Sequence, residues 1–128
     1  MITLWARDKL TGRHLKRKTR EYLEKLEQGP VLVTVEYRVD AQNTTPFLQA
    51  MQKYERVRRR DGASRWGLFR DLEHADVYLE TFLVTSWAEH LRQHERLTRA
   101  DSDLEQMVRS HADGEPVVRH LIYARSHT

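Results

Sequence analysis

The sequence contains no cysteine, which excludes disulfide bonds and thiolate metal ligands for this chain. It also lacks an uninterrupted run of about eighteen apolar residues, the length that can cross a bilayer. The N-terminus has neither the apolar stretch nor the small-residue cleavage site of a secretory signal. Glycine-rich phosphate loops and the nucleophile elbow of serine hydrolases are missing too. We therefore expect a cytoplasmic protein that uses no cofactor.

The 128 residues suit one domain and are too few for two independent cores. Apolar residues make up 39% of the chain and charged residues 32%, a mixture typical of globular proteins. The net charge of +3 is concentrated near the start, because residues 1–28 contain eight Lys or Arg and four acidic residues. We divide the chain into a basic helical leader, 1–29, and a folded domain, 30–128.

The leader is predicted to form a helix over residues 13–28, which Gly29 and Pro30 end. Its basic residues could contact phosphate groups or an anionic membrane surface. The alternative is a solvated helix in which Glu21 and Lys25 pair one turn apart. Because the basic cluster is short and has no aromatic residues interleaved, we do not expect nucleic acid as a partner.

The clearest strand covers residues 31–39, where β-branched residues dominate and apolar side chains recur at every second position. Helix starts are indicated by Thr45 and Pro46 and by two capping boxes, Ser86–Glu89 and Ser102–Glu105. The later elements are predicted as helix 46–60, strands 64–71 and 77–85, helix 87–97, a shorter helix opened by Ser102, and strand 117–125.

The resulting order, β-α-β-β-α-(α)-β, predicts an α+β fold of the ferredoxin-like kind, with an antiparallel sheet and both main helices on one of its faces. The other face would be open in a monomer, and Leu32, Trp66, Leu79 and Ile122 are available to make it apolar. An open apolar face needs a cover, and a second copy of the chain is the simplest one. We therefore predict a homodimer.

Three segments, residues 31–39, 58–71 and 80–98, resemble the soluble C-terminal domain of transmembrane-secretion-effector transporters. These transporters are the enterobactin-exporter-like branch of the major facilitator superfamily. The resemblance covers about residues 30–124 and does not include the leader. Its most specific part is the run Ser-Trp-Ala-Glu-His-Leu-Arg-Gln-His that begins at Ser86. The resemblance implies that a membrane transporter is a partner of this domain.

That domain is in turn similar to the antibiotic-biosynthesis-monooxygenase superfamily, whose members form dimeric α+β barrels. Some members oxidise polycyclic phenols to quinones without metal or flavin. In such oxygenases a Trp at the start of the second main helix and an Asn four residues before it line the cavity. Trp87 matches the Trp, whereas Leu83 stands where the Asn would be. This departure argues against carrying the oxygenase activity over.

Two imidazoles, His90 and His94, are four residues apart on helix 87–97, a spacing that can hold a metal. No third ligand is evident, so we expect no metal and place His90 at the helix surface. His94 is the candidate catalytic residue, since an imidazole can accept a proton near neutral pH. The alternative for His94 is a packed, hydrogen-bonded side chain.

The remaining candidates are borne by strands. If they face the cavity, the pairs Arg65-Trp66 and Arg119-His120 could bind an aromatic or anionic ligand through stacking and charge, together with Trp87 and His94. Alternatively Trp66 fills the interior and the arginines pair with Glu36 or Glu80. Glu80 is anomalous, because a carboxylate within an apolar strand needs a partner, for which we expect Arg65 or Arg119.

Three functions are consistent with these patterns. The first is a binding or regulatory module that holds a small hydrophobic or aromatic molecule and is allied to export. The second is a cofactor-independent monooxygenase acting on an aromatic polyketide-like substrate. The third is a purely structural dimerisation domain with a filled interior, which a structure distinguishes from the others by the space that it leaves.

Overall fold

The structure is a computed structural model that describes residues 27–125, the side chain of His94 excepted. The leader helix predicted over residues 13–28 lies outside the described residues, apart from its last two positions. No helix among residues 27–125 is long and apolar enough to pass through a membrane.

The described part of the chain contains four strands, three α-helices and one 3₁₀ turn. They are β1 (Val31–Arg38), the 3₁₀ turn (Ala41–Asn43), α1 (Thr44–Arg60), β2 (Ser64–Arg70), β3 (Val77–Val84), α2 (Trp87–Glu95), α3 (Arg99–Ser110) and β4 (Val117–Leu121). The sheet order is β2-β3-β1-β4, with antiparallel pairing throughout. This order confirms the predicted α+β ferredoxin-like fold. Most bounds agree with the sequence pattern to within two residues, but β4 ends at Leu121 rather than at residue 125.

The core lies between the sheet and the helices. On β1 the alternate residues Val31, Val33, Val35 and Tyr37 are each 3% exposed or less, as their spacing predicts for one buried face. Phe47 of α1 is fully buried against them. The other core side chains of the helices are Ala50, Met51 and Tyr54 of α1, Trp87 of α2 and Val108 of α3. All three helices therefore pack on the same face of the sheet.

The start of the third helix differs from the prediction. α3 begins after Thr98, whose hydroxyl accepts the backbone N–H of Asp101 at 3.1 Å while the Asp101 carboxylate accepts the N–H of Thr98 at 3.1 Å. The capping box predicted at Ser102–Glu105 is wrong by four residues. The same S/T-x-x-acid pattern occurs at both places, and Thr98 has the extended backbone that a cap requires.

The predicted cap of α2 is half confirmed. The Ser86 hydroxyl accepts the backbone N–H of Glu89 at 3.1 Å, as the capping box requires. The Glu89 carboxylate, however, accepts hydrogen bonds from Arg92, the shorter at 2.6 Å. The hydroxyl half of the motif thus fixes where α2 begins.

The face of the sheet away from the helices, which we call the open face, carries side chains from all four strands. Strand pairing aligns them in three cross-strand rows: Ser64–Leu83–Leu32–Leu121, Gly67–Thr81–Thr34–Arg119 and Phe69–Leu79–Glu36–Val117. The two outer rows are rich in apolar residues. Phe69, Val117 and Leu121 are 58%, 46% and 45% exposed, so this face presents apolar surface to its surroundings.

Candidate functional site

The most polar feature of the core is a buried carboxylate with four hydrogen bonds, which we call the Glu80 cluster: Glu80, Arg58, Tyr37 and Trp66. Arg58 donates through Nε to Glu80 Oε2 at 2.9 Å and through a terminal nitrogen to Oε1 at 3.1 Å. The Tyr37 hydroxyl donates to Oε1 at 3.0 Å, and Trp66 Nε1 donates to Oε2 at 2.9 Å. Each carboxylate oxygen therefore accepts two hydrogen bonds.

The environment of the Glu80 cluster keeps the Tyr37 hydroxyl neutral and the Arg58 guanidinium charged. Burial raises the pKa of Tyr37 well above its ordinary value, and the adjacent Glu80 charge adds to that shift. Burial would lower the pKa of Arg58, but the attraction of Glu80 outweighs it and the pKa is raised. The Arg58 guanidinium also lies over the rings of Tyr54 and Phe82, 4.4 and 4.7 Å from their centroids. The cluster thus links β1, α1, β2 and β3 through paired side chains, and a ligand-binding role of Trp66 and Glu80 stays a prediction.

Our prediction that Arg65 or Arg119 pairs with Glu80 is wrong. Both arginines are exposed, and Arg119 lies on the open face opposite Thr34, while the Glu80 side chain is directed into the core. The actual partner is Arg58, in the last turn of α1. The sequence around Arg58 does not reveal this contact, because Glu80 belongs to a different element 22 residues away.

The other strand-borne candidates separate in space. Trp66 is half-buried and belongs to the Glu80 cluster, which agrees with the alternative that it fills the interior. Arg65 has φ of +50° at the irregularity where the β2–β3 register shifts between Ser64 and Gly67. It lines an open cavity with Leu83 and Arg125 at the end of the sheet. Leu83, at the position of the oxygenase Asn, faces away from the helices.

A group of three rings, which we call the ring cluster, joins α2 to β4. The ring centroids of Trp87 and His120 are 4.8 Å apart at nearly a right angle, and the His90 ring is 5.1 Å from His120 and 5.5 Å from Trp87. His90 is 1% exposed, so its predicted position at the helix surface is wrong. Its packing partner His120 comes from a strand some thirty residues later, which helix periodicity does not reveal.

His94, the candidate catalytic residue, lies in the last turn of α2. Its side chain is outside the described part of the structure, so its proposed proton-transfer role stays a prediction. Among the described residues, no three His, Asp or Glu side chains are close enough together to hold a metal ion.

A groove borders the ring cluster on the outside of the domain. This Trp87 groove has a volume of about 420 Å³ and is lined by Gln28, Val31, Trp87, Val118, Arg119, His120, Leu121 and Ile122. Most of these side chains are apolar, two of them, Trp87 and His120, carry aromatic rings, and Arg119 is a cation. Trp87 and Arg119, two of the predicted ligand-binding residues, are brought together here, whereas Trp66, Arg65 and Glu80 are not.

A cavity of about 50 Å³ lies between the sheet and the helices. It is lined by residues of all three helices and of β1, β3 and β4. Ligand pockets for drug-sized molecules span about 300–1,000 Å³, so this space is too small for a polycyclic substrate. Two members of the Glu80 cluster, Tyr37 and Arg58, line this cavity.

The sequence profile of one protein family, described as transmembrane secretion effector, matches residues 3–128. The match includes nearly all of the leader, so our expectation that the resemblance begins at residue 30 is wrong. A search of curated protein sequences found no match.

Solved structures show the same fold at low identity. A candidate antibiotic biosynthesis monooxygenase from Caulobacter crescentus CB15 aligns with a TM-score of 0.67 and 18% identity over 84% of this chain and 99% of that one. A candidate antibiotic biosynthesis monooxygenase from Bordetella bronchiseptica gives 0.65 and 15% over 77% and 100%. A variant of SnoaB, a cofactor-independent oxygenase from Streptomyces nogalater, gives 0.58 and 14% over 77% and 94%. These likenesses confirm the fold predicted by the resemblance.

Proposed function

The chain belongs to the transmembrane secretion effector family, and we propose that it is a self-pairing module that binds a small hydrophobic or aromatic molecule. The family description supports a partner concerned with secretion, for which we propose a membrane transporter. We propose that this partnership takes place at the cytoplasmic side of the membrane. The division into a basic leader, 1–29, and a domain, 30–128, is part of the same proposal.

The Trp87 groove is the observation that carries ligand binding. Its volume of about 420 Å³ falls in the range of small-molecule pockets, and its walls are apolar. Trp87 and His120 offer ring surfaces for an aromatic ligand, and Arg119 offers a positive charge for an acidic group. The groove thus suits a planar molecule of two or three rings, neutral or with one negative charge.

Anilinonaphthalene sulfonate (ANS), an anionic aromatic probe, is expected to bind the Trp87 groove of the full chain with a saturable rise in fluorescence. Ile122→Glu should weaken the dissociation constant at least about tenfold, because the half-exposed Ile122 becomes an anion beside the probe. Leu48→Glu is the matched control: Leu48 is similarly exposed on α1 and does not line the groove. Equal weakening by both variants would remove the support for this site.

The open face supports self-pairing. Its two apolar rows cross the whole sheet, and a second copy related by a two-fold axis would bury the same rows of both protomers against each other. Such an interface is isologous, so a substitution on the open face is present in both protomers and affects the interface at two places.

A second function, cofactor-independent oxygenation of an aromatic polyketide-like substrate, is favoured by the fold shared with SnoaB and by the position of Trp87. The small interior cavity and the outward-facing Leu83 argue against it.

Oxygen consumption therefore discriminates the two functions. With anthrone-type phenols in air, we expect the full chain to consume oxygen no faster than a protein-free control, because the interior cavity of about 50 Å³ does not admit three fused rings. An oxygen electrode gives the rate directly. Protein-dependent uptake that Trp87→Leu abolishes and Leu48→Glu preserves would favour the oxygenase instead.

A further inference from the structure

The interior cavity contains an amide group without a hydrogen-bond partner among the described residues. Gln93 of α2 is 7% exposed, its Nε2 atom is buried, and no described donor or acceptor pairs with that nitrogen. The same side chain lines the cavity of about 50 Å³. A buried N–H group without an acceptor is unfavourable, so an acceptor is expected to enter the cavity.

The backbone on the opposite side leaves room for this amide. Gly62, which follows α1, has φ of +101°, and a Cβ atom at that position would lie 2.7 Å from Gln93 Nε2. Gly62 therefore does two things, because it permits the left-handed turn and lets the Gln93 amide lie close to the main chain. The amide position is thus determined by packing.

Most charged side chains that line the cavity form ion pairs. Arg58 pairs with Glu80, Arg109 pairs with Glu115, and both arginines line the cavity. Glu105, on α3, is the lining carboxyl with no hydrogen bond to a described residue. Burial raises the pKa of Glu105, although Arg58 and Arg109 act in the opposite direction. A further negative charge inside this space would therefore be unfavourable, whereas a neutral polar group would not.

We propose that this cavity binds a neutral primary carboxamide, whose oxygen accepts a hydrogen bond from Gln93 and whose N–H group donates to Glu105. A primary carboxamide supplies an acceptor and a donor at once. The cavity volume of about 50 Å³ is several times the volume that one water molecule needs and too small for a ring system. This cavity shares Val118 with the Trp87 groove, but Gln93 and Glu105 do not line that groove, and neither proposal depends on the other.

Acetamide is the probe, titrated into the full chain and followed by amide chemical shifts in two-dimensional NMR. Acetate has the same shape with a charge, and acetone has the same shape without an N–H group. We expect saturable shifts that include Gln93 and its neighbours, with acetamide binding at least about tenfold tighter than acetate or acetone. Equal affinity for the three probes, or no saturable shift because ordered water alone occupies the cavity, would overturn the proposal.

Gln93→Leu is expected to weaken acetamide binding at least about tenfold without lowering the melting temperature, because it removes a buried donor. Gln52→Leu is the control, since Gln52 is exposed on α1 and does not line the cavity. Gln93→Met, an unbranched replacement, serves if the leucine variant folds poorly. Acetamide binding that is unchanged in either Gln93 variant contradicts the assignment, whatever happens at the Trp87 groove.

Discussion

Arg58→Met is expected to destabilise the domain by about 3–5 kcal/mol, because it leaves the fully buried Glu80 carboxylate without its counter-charge. Of the four hydrogen bonds to Glu80, the two from the guanidinium, in which donor and acceptor are both charged, disappear. The two neutral donors, Tyr37 and Trp66, remain but do not compensate a charge in the core. The melting temperature should fall by about 10 °C or more in a thermal unfolding experiment.

The neighbouring arginine provides the control. Arg59 forms an ion pair with Glu55 one turn away on the surface, with the Arg59 side chain 51% exposed. Exposed pairs of this spacing contribute about 0.3–0.5 kcal/mol, so Arg59→Met should change the stability little. If Arg58→Met and Arg59→Met lower the stability equally, Arg58 does not stabilise the domain by offsetting the charge of Glu80.

A second variant separates the charge from the packing. Arg58→Met combined with Glu80→Met removes the buried charge as well as its partner, and we expect the double variant to be more stable than Arg58→Met alone. The Tyr37 hydroxyl and the Trp66 indole then lack their acceptor, so the recovery should be incomplete. A double variant that is less stable than either single one would indicate a role for Glu80 other than ion pairing.

Leu32→Glu is expected to dissociate the proposed dimer, with a dissociation constant raised at least about a hundredfold. Leu32 lies in the apolar row of the open face, between Leu83 of β3 and Leu121 of β4. In a two-fold interface the substitution buries two carboxylates in apolar surroundings, at a cost of several kcal/mol. Sedimentation equilibrium of the full chain measures the change.

Leu72→Glu is the matched control for this experiment. Leu72 is 97% exposed in the turn between β2 and β3, so the same substitution there adds the charge without touching the open face. It should leave the association constant unchanged within a factor of about two. Dissociation by both variants to the same extent would point to net charge rather than to the open face.

The alternation in residues 31–39 was sufficient to predict β1 and its buried face, because a strand that is half in the core has a period of two along the chain. The order of elements then gave the ferredoxin-like fold. Thr98 shows the limit of local motifs, since two acceptable capping boxes stand four residues apart and only packing selects one.

The candidate site was harder to predict, because its contacts join residues distant in the sequence. Arg58 meets Glu80 across 22 positions and Tyr37 meets it across 43, so neither contact leaves a periodic signal. Trp87 was identified through a resemblance, but the contact of its ring with His120 became evident only when β4 was placed beside β1. The position of Gln93 on its helix does not stand out in the sequence, and the burial of its amide group is seen only in the folded core.

Sedimentation velocity of the full chain with ANS, recorded in the absorption band of the probe, tests the central proposal most directly. One experiment reports both the mass of the protein species and whether the probe travels with it. The proposal predicts that ANS sediments with a species of twice the chain mass, 15.3 kDa per protomer, and that Ile122→Glu releases the probe while the dimer persists. A protein that sediments as a monomer and leaves the probe behind would contradict it.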